Sequence, residues 1–359
     1  IMLAKLFTMA LMKPSSDREI SDAGGTHNFR GKKHLLSFTP SLHDSSSSSE
    51  ERSAIEDLLL TRFCICCVIF DFTNPKKKVE EKQIKREALL ELLDYMPSVA
   101  GSFTDTVMEE FVSMIELNIF RSLPPRDEEG TLLAMDLSWF HLQLVYDILV
   151  RFIESKELDP KVASKYINHS FLEKLLGLFN STPYPPEREM LKTLLHHTYL
   201  RLTTHRAFIR KAVNGIFHQF LVEPFQPNGI AELLEVYGSI ISGFSIPLKD
   251  EHKLFLERSL MPLHKPECVW AYHKQLSFCV VQFARKDPKL ASNLIKGLLK
   301  YWPVTSSQTE ILFLQELEGV LEVTEEAEFR RCMIPLFRRI RQSLSSPHSQ
   351  VRCLTYCIF

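Results

Sequence analysis

The sequence predicts an all-α protein, an α-solenoid of stacked antiparallel helix pairs of the HEAT-like kind. Three observations predict it. Apolar residues recur at spacings of three and four through most of the chain after Ile55. Alternating strand patterns are nearly absent. Pro97, Pro124, Pro160, Pro185, Pro224, Pro266, Pro303 and Pro347 punctuate the chain at intervals mostly near the roughly 40 residues of a helical-pair repeat.

The segments bear this out in order. Residues 1–53 contain "THNFRGKKH" and "HDSSSSSEERS", polar and Ser-rich without helical or strand period, which predicts a disordered arm. Its opening "IMLAKLFTMALM" has a single Lys and no clear small-residue cleavage site, which argues against a secretory signal. No apolar run reaches the roughly 20 residues that span a bilayer. The helical repeat domain is expected over residues 54–359. "NPKKKVEEKQIKRE" at Asn74–Glu87 reads as a solvated loop entering a charged helix face, or as a nuclear address. "HLQLVYDILVRFI" and "EILFLQELEGVLEV" carry helical periodicity. In "GIAELLEVYGSIISGF", Ile230, Leu233, Leu234, Tyr237, Ile240, Ile241 and Phe244 share one side of a helix, about 120° wide. Val236 falls at the margin of that stripe. "SFCVVQF" reads as a packed helix, and "YWP" as a helix end with Trp302 in the core.

Composition excludes several classes of function. With 359 residues and a net charge of −1, no global pull towards nucleic acid is expected. Glycine, at 12 residues, is too sparse to favour nucleotide-binding loops. The eight cysteines lack paired zinc spacing, and "CICC" lies in an apolar run, so buried free thiols in a reducing compartment are expected. No GxSxG, P-loop or kinase motif is present. Neither a cofactor, a metal nor an enzymatic activity is expected.

One stretch stands out: "LKTLLHHTYLRLTTHRAFIRK", Leu191–Lys211. As one helix it would hold His196, Tyr199, Arg206 and Arg210 within about 80°; a turn near Thr203–Thr204 would loosen that geometry. Guanidinium groups bind carboxylate or phosphate through paired hydrogen bonds, and Tyr and His add flat, polar-tipped surface. Residue types alone leave open a solvated helix face, a site for an acidic partner, or a metal or catalytic site. Against metal, His196 and His197 point about 100° apart and no HExxH completes a set.

Several segments resemble a known family in order and spacing: "CCVIFDF" at Cys66–Phe72, "HLQLVYDILVRFIES" at His141–Ser155, "NGIAELLEVYGSIISGFSIPLKDEHKLFL" at Asn228–Leu256, "LLKYWPVTSSQTEILFLQELEGVLEV" at Leu298–Val323 and "MIPLFRRIRQSLSSPHSQV" at Met333–Val351. They are similar to the B-prime regulatory subunits of protein phosphatase 2A, the plant branch above all. The resemblance implies a non-catalytic HEAT-like solenoid in cytoplasm or nucleus. It would bind the phosphatase's scaffold and catalytic subunits. It would also recruit substrates through a groove for short acidic Leu-x-x-Ile-x-Glu peptides.

By the same resemblance, His196, Tyr199, Arg206, Arg210, Val236, Ile240, Lys249 and His252 match groove positions. His197 stands where the family has an Arg facing the acidic or phosphorylated second peptide position, so weaker phosphate enhancement is expected. Val236 replaces an Ile. After Val351 the sequence reads "RCLTYCIF", where the family continues into further repeats that meet the catalytic subunit. The alternatives are therefore a decoy that binds peptides but assembles poorly, or an unrelated HEAT-repeat adaptor.

Overall fold

Apolar side chains at helical spacing must bury one face, and here they do so by helix-on-helix packing. The structure, a computed structural model, describes residues 49–72, 74, 76–121, 129–223 and 227–358. Most of the arm predicted over residues 1–53 lies outside the described residues. The first helix, however, starts at Ser49 rather than after residue 53, because "SEERSA" is made of acceptable to good helix formers that continue the next segment's helix.

Among the described residues there are fifteen α-helices and no strand. The first four are α1 (Ser49–Cys66), α2 (Val79–Val99), α3 (Asp105–Ile119) and α4 (Glu129–Glu154). Next come α5 (Pro160–Tyr166), α6 (His169–Ser181), α7 (Pro185–Arg201) and α8 (Arg206–Val222). They are followed by α9 (Ile230–Ser242), α10 (Asp250–Phe255), α11 (His273–Lys286) and α12 (Ala291–Lys300). The last three are α13 (Ser307–Leu321), α14 (Glu326–Leu344) and α15 (Ser349–Ile358).

Side-chain caps and proline set several of these starts. Thr104, Asn168 and Ser306 each accept a backbone N–H at the head of α3, α6 and α13. Asp159 does the same for α5, with Pro160 at its first position. The proline beat is not uniformly a set of breaks: Pro97 lies inside the last turn of α2, and Pro335 lies inside α14.

The helices pack in two rows, as the predicted solenoid requires. One row is α2, α4, α7, α9, α11 and α13, each against the next. In the other row α1 meets α3, α3 meets α5, α6 meets α8, and α12 meets α14. Helix pairs such as α1 with α2, α3 with α4 and α6 with α7 join the rows. Between the rows lies an apolar core. At one end it is aromatic, with Phe111 and Phe152 at 4.7 Å and Phe63 and Phe111 at 5.7 Å between ring centres. Tyr237 stacks on Phe255 at 4.2 Å further along.

Two expectations need correction here. The cysteines are free, but only Cys66, Cys279 and Cys332 are buried, while Cys64, Cys353 and Cys357 are exposed. Helical periodicity turns Cys64 towards solvent while Cys66, two residues on, is buried, even within an apolar run. Val236, read as marginal, is buried at 3% exposure. A helix in mid-row is flanked by α7 and α11 as well as by the core, so its buried arc is wider than one stripe.

Candidate functional site

The helix that carries His196 to Tyr199 is held by a buried carboxylate at its start. Glu187, fully buried in the first turn of α7, receives both guanidinium N–H groups of Arg121, at 2.8 and 3.1 Å. It also accepts the hydroxyls of Tyr146 at 3.0 Å and Thr182 at 2.7 Å. Four bonds from three chain segments satisfy an anion that would otherwise be costly to bury. Along its length α7 is clipped to α9: Arg188 pairs with Glu232 at 2.8 Å, and Lys192 with Glu235 at 2.5 Å. Gln275 of α11 donates to the same Glu235 at 3.0 Å. Three successive helices of one row are thereby set in register.

The stretch Leu191–Lys211 is not one helix. α7 ends at Arg201, Leu202 is buried in a non-helical conformation, and Thr203–His205 make a single 3-10 turn before α8. His196 and Tyr199 thus sit on α7, while Arg206 and Arg210 open α8. The break does not scatter them, because Arg206 folds back. Its Nε and one terminal nitrogen donate to the carbonyls of Tyr199 at 2.9 Å and Leu200 at 3.0 Å. These are carbonyls of the last turn, which lack partners within α7, so Arg206 caps that helix. Its guanidinium also lies over the Tyr199 ring at 5.3 Å. Arg210 donates to the Tyr199 hydroxyl at 3.1 Å.

The set extends to α10. Arg210 comes within 3.6 Å of Glu251, and His252 within 3.7 Å of the same carboxylate. The His252 ring stacks on Phe244 at 3.7 Å, 17° from parallel. Burial holds its pKa below the ordinary histidine value, ahead of the opposing pull of Glu251. Burial likewise lowers His196, with the neighbouring His197 charge as the second cause. Both imidazoles are neutral at pH 7, so the positive charge of this region comes from Arg206, Arg210 and exposed Lys249. Val236 and Ile240, four apart on α9, are 3% and 4% exposed.

The structure therefore brings Tyr199, Arg206, Arg210 and His252 into one linked cluster. His197 is turned elsewhere, with its Nδ1 3.0 Å from Glu154 of α4. Two carboxylates, Glu251 in this cluster and Glu154 beside His197, were not foreseen from sequence. Glu251 precedes a predicted site residue, and Glu154 is 43 positions from His197, with no local signal linking them. Also unforeseen is a buried trio in the later repeats, His264, His273 and Glu316, whose ligand atoms lie within 4.8 Å of one another. Their spacing in sequence matches no metal motif.

Comparison with known proteins gives a consistent result. The family described as "Protein phosphatase 2A regulatory B subunit (B56 family)" matches residues 41–359. The B' theta isoform of the 57 kDa regulatory subunit of serine/threonine protein phosphatase 2A from Arabidopsis thaliana is 48% identical, over 95% of this chain and 70% of that protein. The 59 kDa B' gamma isoform from the same plant is 50% identical over 87% of this chain and 60% of its own length. A 57 kDa B' kappa isoform from Oryza sativa subsp. japonica is 50% identical over 82% and 60%. The chain thus spans 60–70% of the length of these curated relatives.

Proposed function

Since the chain belongs to the B56 family of protein phosphatase 2A regulatory subunits, we propose that it selects substrates for that phosphatase through the cluster at the α7–α8 junction. It binds short acidic segments of the Leu-x-x-Ile-x-Glu type there, and it binds the scaffold and catalytic subunits through its helical rows. The observation that carries this reading is the guanidinium pair of Arg206 and Arg210, gathered on Tyr199. Arg210 is the group best free to receive a peptide carboxylate. Its contact with Glu251 is long, and Glu251 is more than half exposed, so an incoming acid can displace it. Arg206 has a second task, since it caps α7. Lys249 adds charge at the rim, and His196 and His252 offer neutral rings.

By the family resemblance His197 stands in place of an Arg that meets a second acidic or phosphorylated side chain, and here it lies beside the Glu154 carboxylate. That arrangement opposes a phosphate there. By the family resemblance we assign its work to cytoplasm or nucleus. No helix among the described residues is long and apolar enough to cross a membrane.

The test is co-purification of the full chain with scaffold and catalytic subunits, together with fluorescence-polarisation binding of a Leu-x-x-Ile-x-Glu peptide. A trimer that binds the peptide, and loses it with Arg210→Ala, is the expected result. Peptide binding without a trimer would instead identify a receptor that cannot deliver substrates. Neither binding event would leave an adaptor of another kind.

A further inference from the structure

Glu316 lies in the middle of α13 and is 1% exposed. Its hydrogen-bond and ion-pair partners are two imidazoles. His264 Nε2 is 3.1 Å from each carboxylate oxygen, and His273 Nε2 is 2.8 Å from Oε2. His264 comes from the 3-10 turn Met261–His264, and His273 is the first residue of α11. Three separate elements thus converge on one point that is closed to solvent.

The state of His264 follows from its other nitrogen. Nδ1 is 2.9 Å from the carbonyl of Met261, an acceptor only, so Nδ1 carries a proton. A neutral His264 then presents the Nε2 lone pair to two carboxylate oxygens, an arrangement that lone-pair repulsion forbids. Some cation must lie between them. A proton on Nε2 would serve, but it would be shared between two equal 3.1 Å lines rather than placed on one. It would also leave His273 unexplained. That Nε2 is buried and close to Oε2, yet the alignment makes no hydrogen bond.

We propose that His264, His273 and Glu316 bind one divalent cation of the zinc class. Two imidazole nitrogens and the two carboxylate oxygens make a four-donor set of the right ligand types. The Met261 carbonyl is the outer partner that orients His264, as outer-shell acceptors do for metal-bound histidines. Donors about 2.0–2.1 Å from a tetrahedral ion stand roughly 3.3 Å apart, so the imidazole-to-carboxylate separations of 2.8 and 3.1 Å open by a few tenths of an ångström, while the two carboxylate oxygens keep their fixed spacing and chelate the ion. The wall is apolar: Phe313 stacks on His273 at 5.4 Å and meets His264 edge-on at 5.3 Å. Cys279 is not a ligand. Its thiol donates to the Leu234 carbonyl at 3.2 Å, and burial pushes its pKa up. With no open path to solvent the ion is structural, a staple across α11, α13 and the turn before them.

The full chain, produced in zinc-supplemented medium and dialysed, is expected to retain one zinc per chain by elemental analysis. Cobalt substitution is expected to give the visible absorption of a four-coordinate nitrogen and oxygen site. His273→Gln and Glu316→Gln should lose both signals. If these variants unfold, His273→Cys keeps a ligand and should add a thiolate-to-cobalt charge-transfer band. A folded wild-type chain without zinc after loading would overturn the proposal, as would a cobalt spectrum unchanged by the substitutions. So would nitrogen NMR of the zinc-loaded chain showing both His264 nitrogens protonated: the cation would then be a proton.

Discussion

Arg210 and Arg206 look interchangeable in sequence, yet their surroundings divide their roles. Arg206 satisfies two carbonyls at the end of α7, so removing it disturbs the fold as well as any ligand. Arg210 has one bond to a tyrosine hydroxyl and a loose contact with an exposed carboxylate. Arg210→Ala should weaken acidic-peptide binding about 10- to 100-fold, the worth of a charge-assisted hydrogen bond. Its urea midpoint should stay near wild type. Glu251→Gln should tighten the same peptide about two- to fivefold by freeing Arg210 from an exposed pair; both effects are read by fluorescence polarisation. His197→Arg restores a guanidinium next to Glu154. It should favour a peptide phosphorylated at the second position over its unphosphorylated form by about fivefold more than wild type does, in the same titration.

Helices keep their positions here through a few buried polar groups. Glu187 ties the start of α7 to Arg121, Tyr146 and Thr182. Glu187→Ala strands a guanidinium and two hydroxyls, so it should cost about 3–5 kcal/mol in urea unfolding. Lys85 plays the corresponding part near α1. Its ammonium donates to the Val68 carbonyl and to Asn118 Oδ1, each at 2.7 Å, and Asn118 in turn holds the Cys66 carbonyl at 3.0 Å.

Burial lowers the Lys85 pKa to about 8, from 10.5. Below pH 8 the folded and unfolded chains both hold the proton, and the burial penalty is constant. Between about pH 8 and 10.5 the unfolded chain holds more proton than the folded one, so stability contributed by this group rises with pH. Relative to Lys85→Met, wild type should gain about 2–3 kcal/mol over that interval, measured by urea unfolding at each pH.

In a stack where each helix meets only its neighbours, stability is a sum of local terms and nearest-neighbour interfaces. α7, α9 and α11 have neighbours on both sides and share the ionic clips through Glu232 and Glu235. α15 buries only Val351 and Thr355, and its Tyr356 is 81% exposed. Amide exchange should therefore be slowest in α7, α9 and α11 and fastest in α15, in a gradient along the rows rather than one cooperative value.

Helical periodicity is a local property, and so the sequence by itself determined the all-α class, the helical segments and the core stripe of α9. Family likeness carried by long matched segments also pointed to the α7–α8 region. The tertiary structure alone decided what those side chains meet. Leu202 buries itself and breaks the helix, so Arg206 returns to cap α7 instead of extending one basic face. Val236 became core because α7 and α11 flank it. Glu154, Glu251 and the His264–His273–Glu316 trio had no signature, since their partners come from elements far apart in the chain. Spacing in sequence encodes which face of a helix a residue occupies; only packing of one helix against another settles what stands opposite.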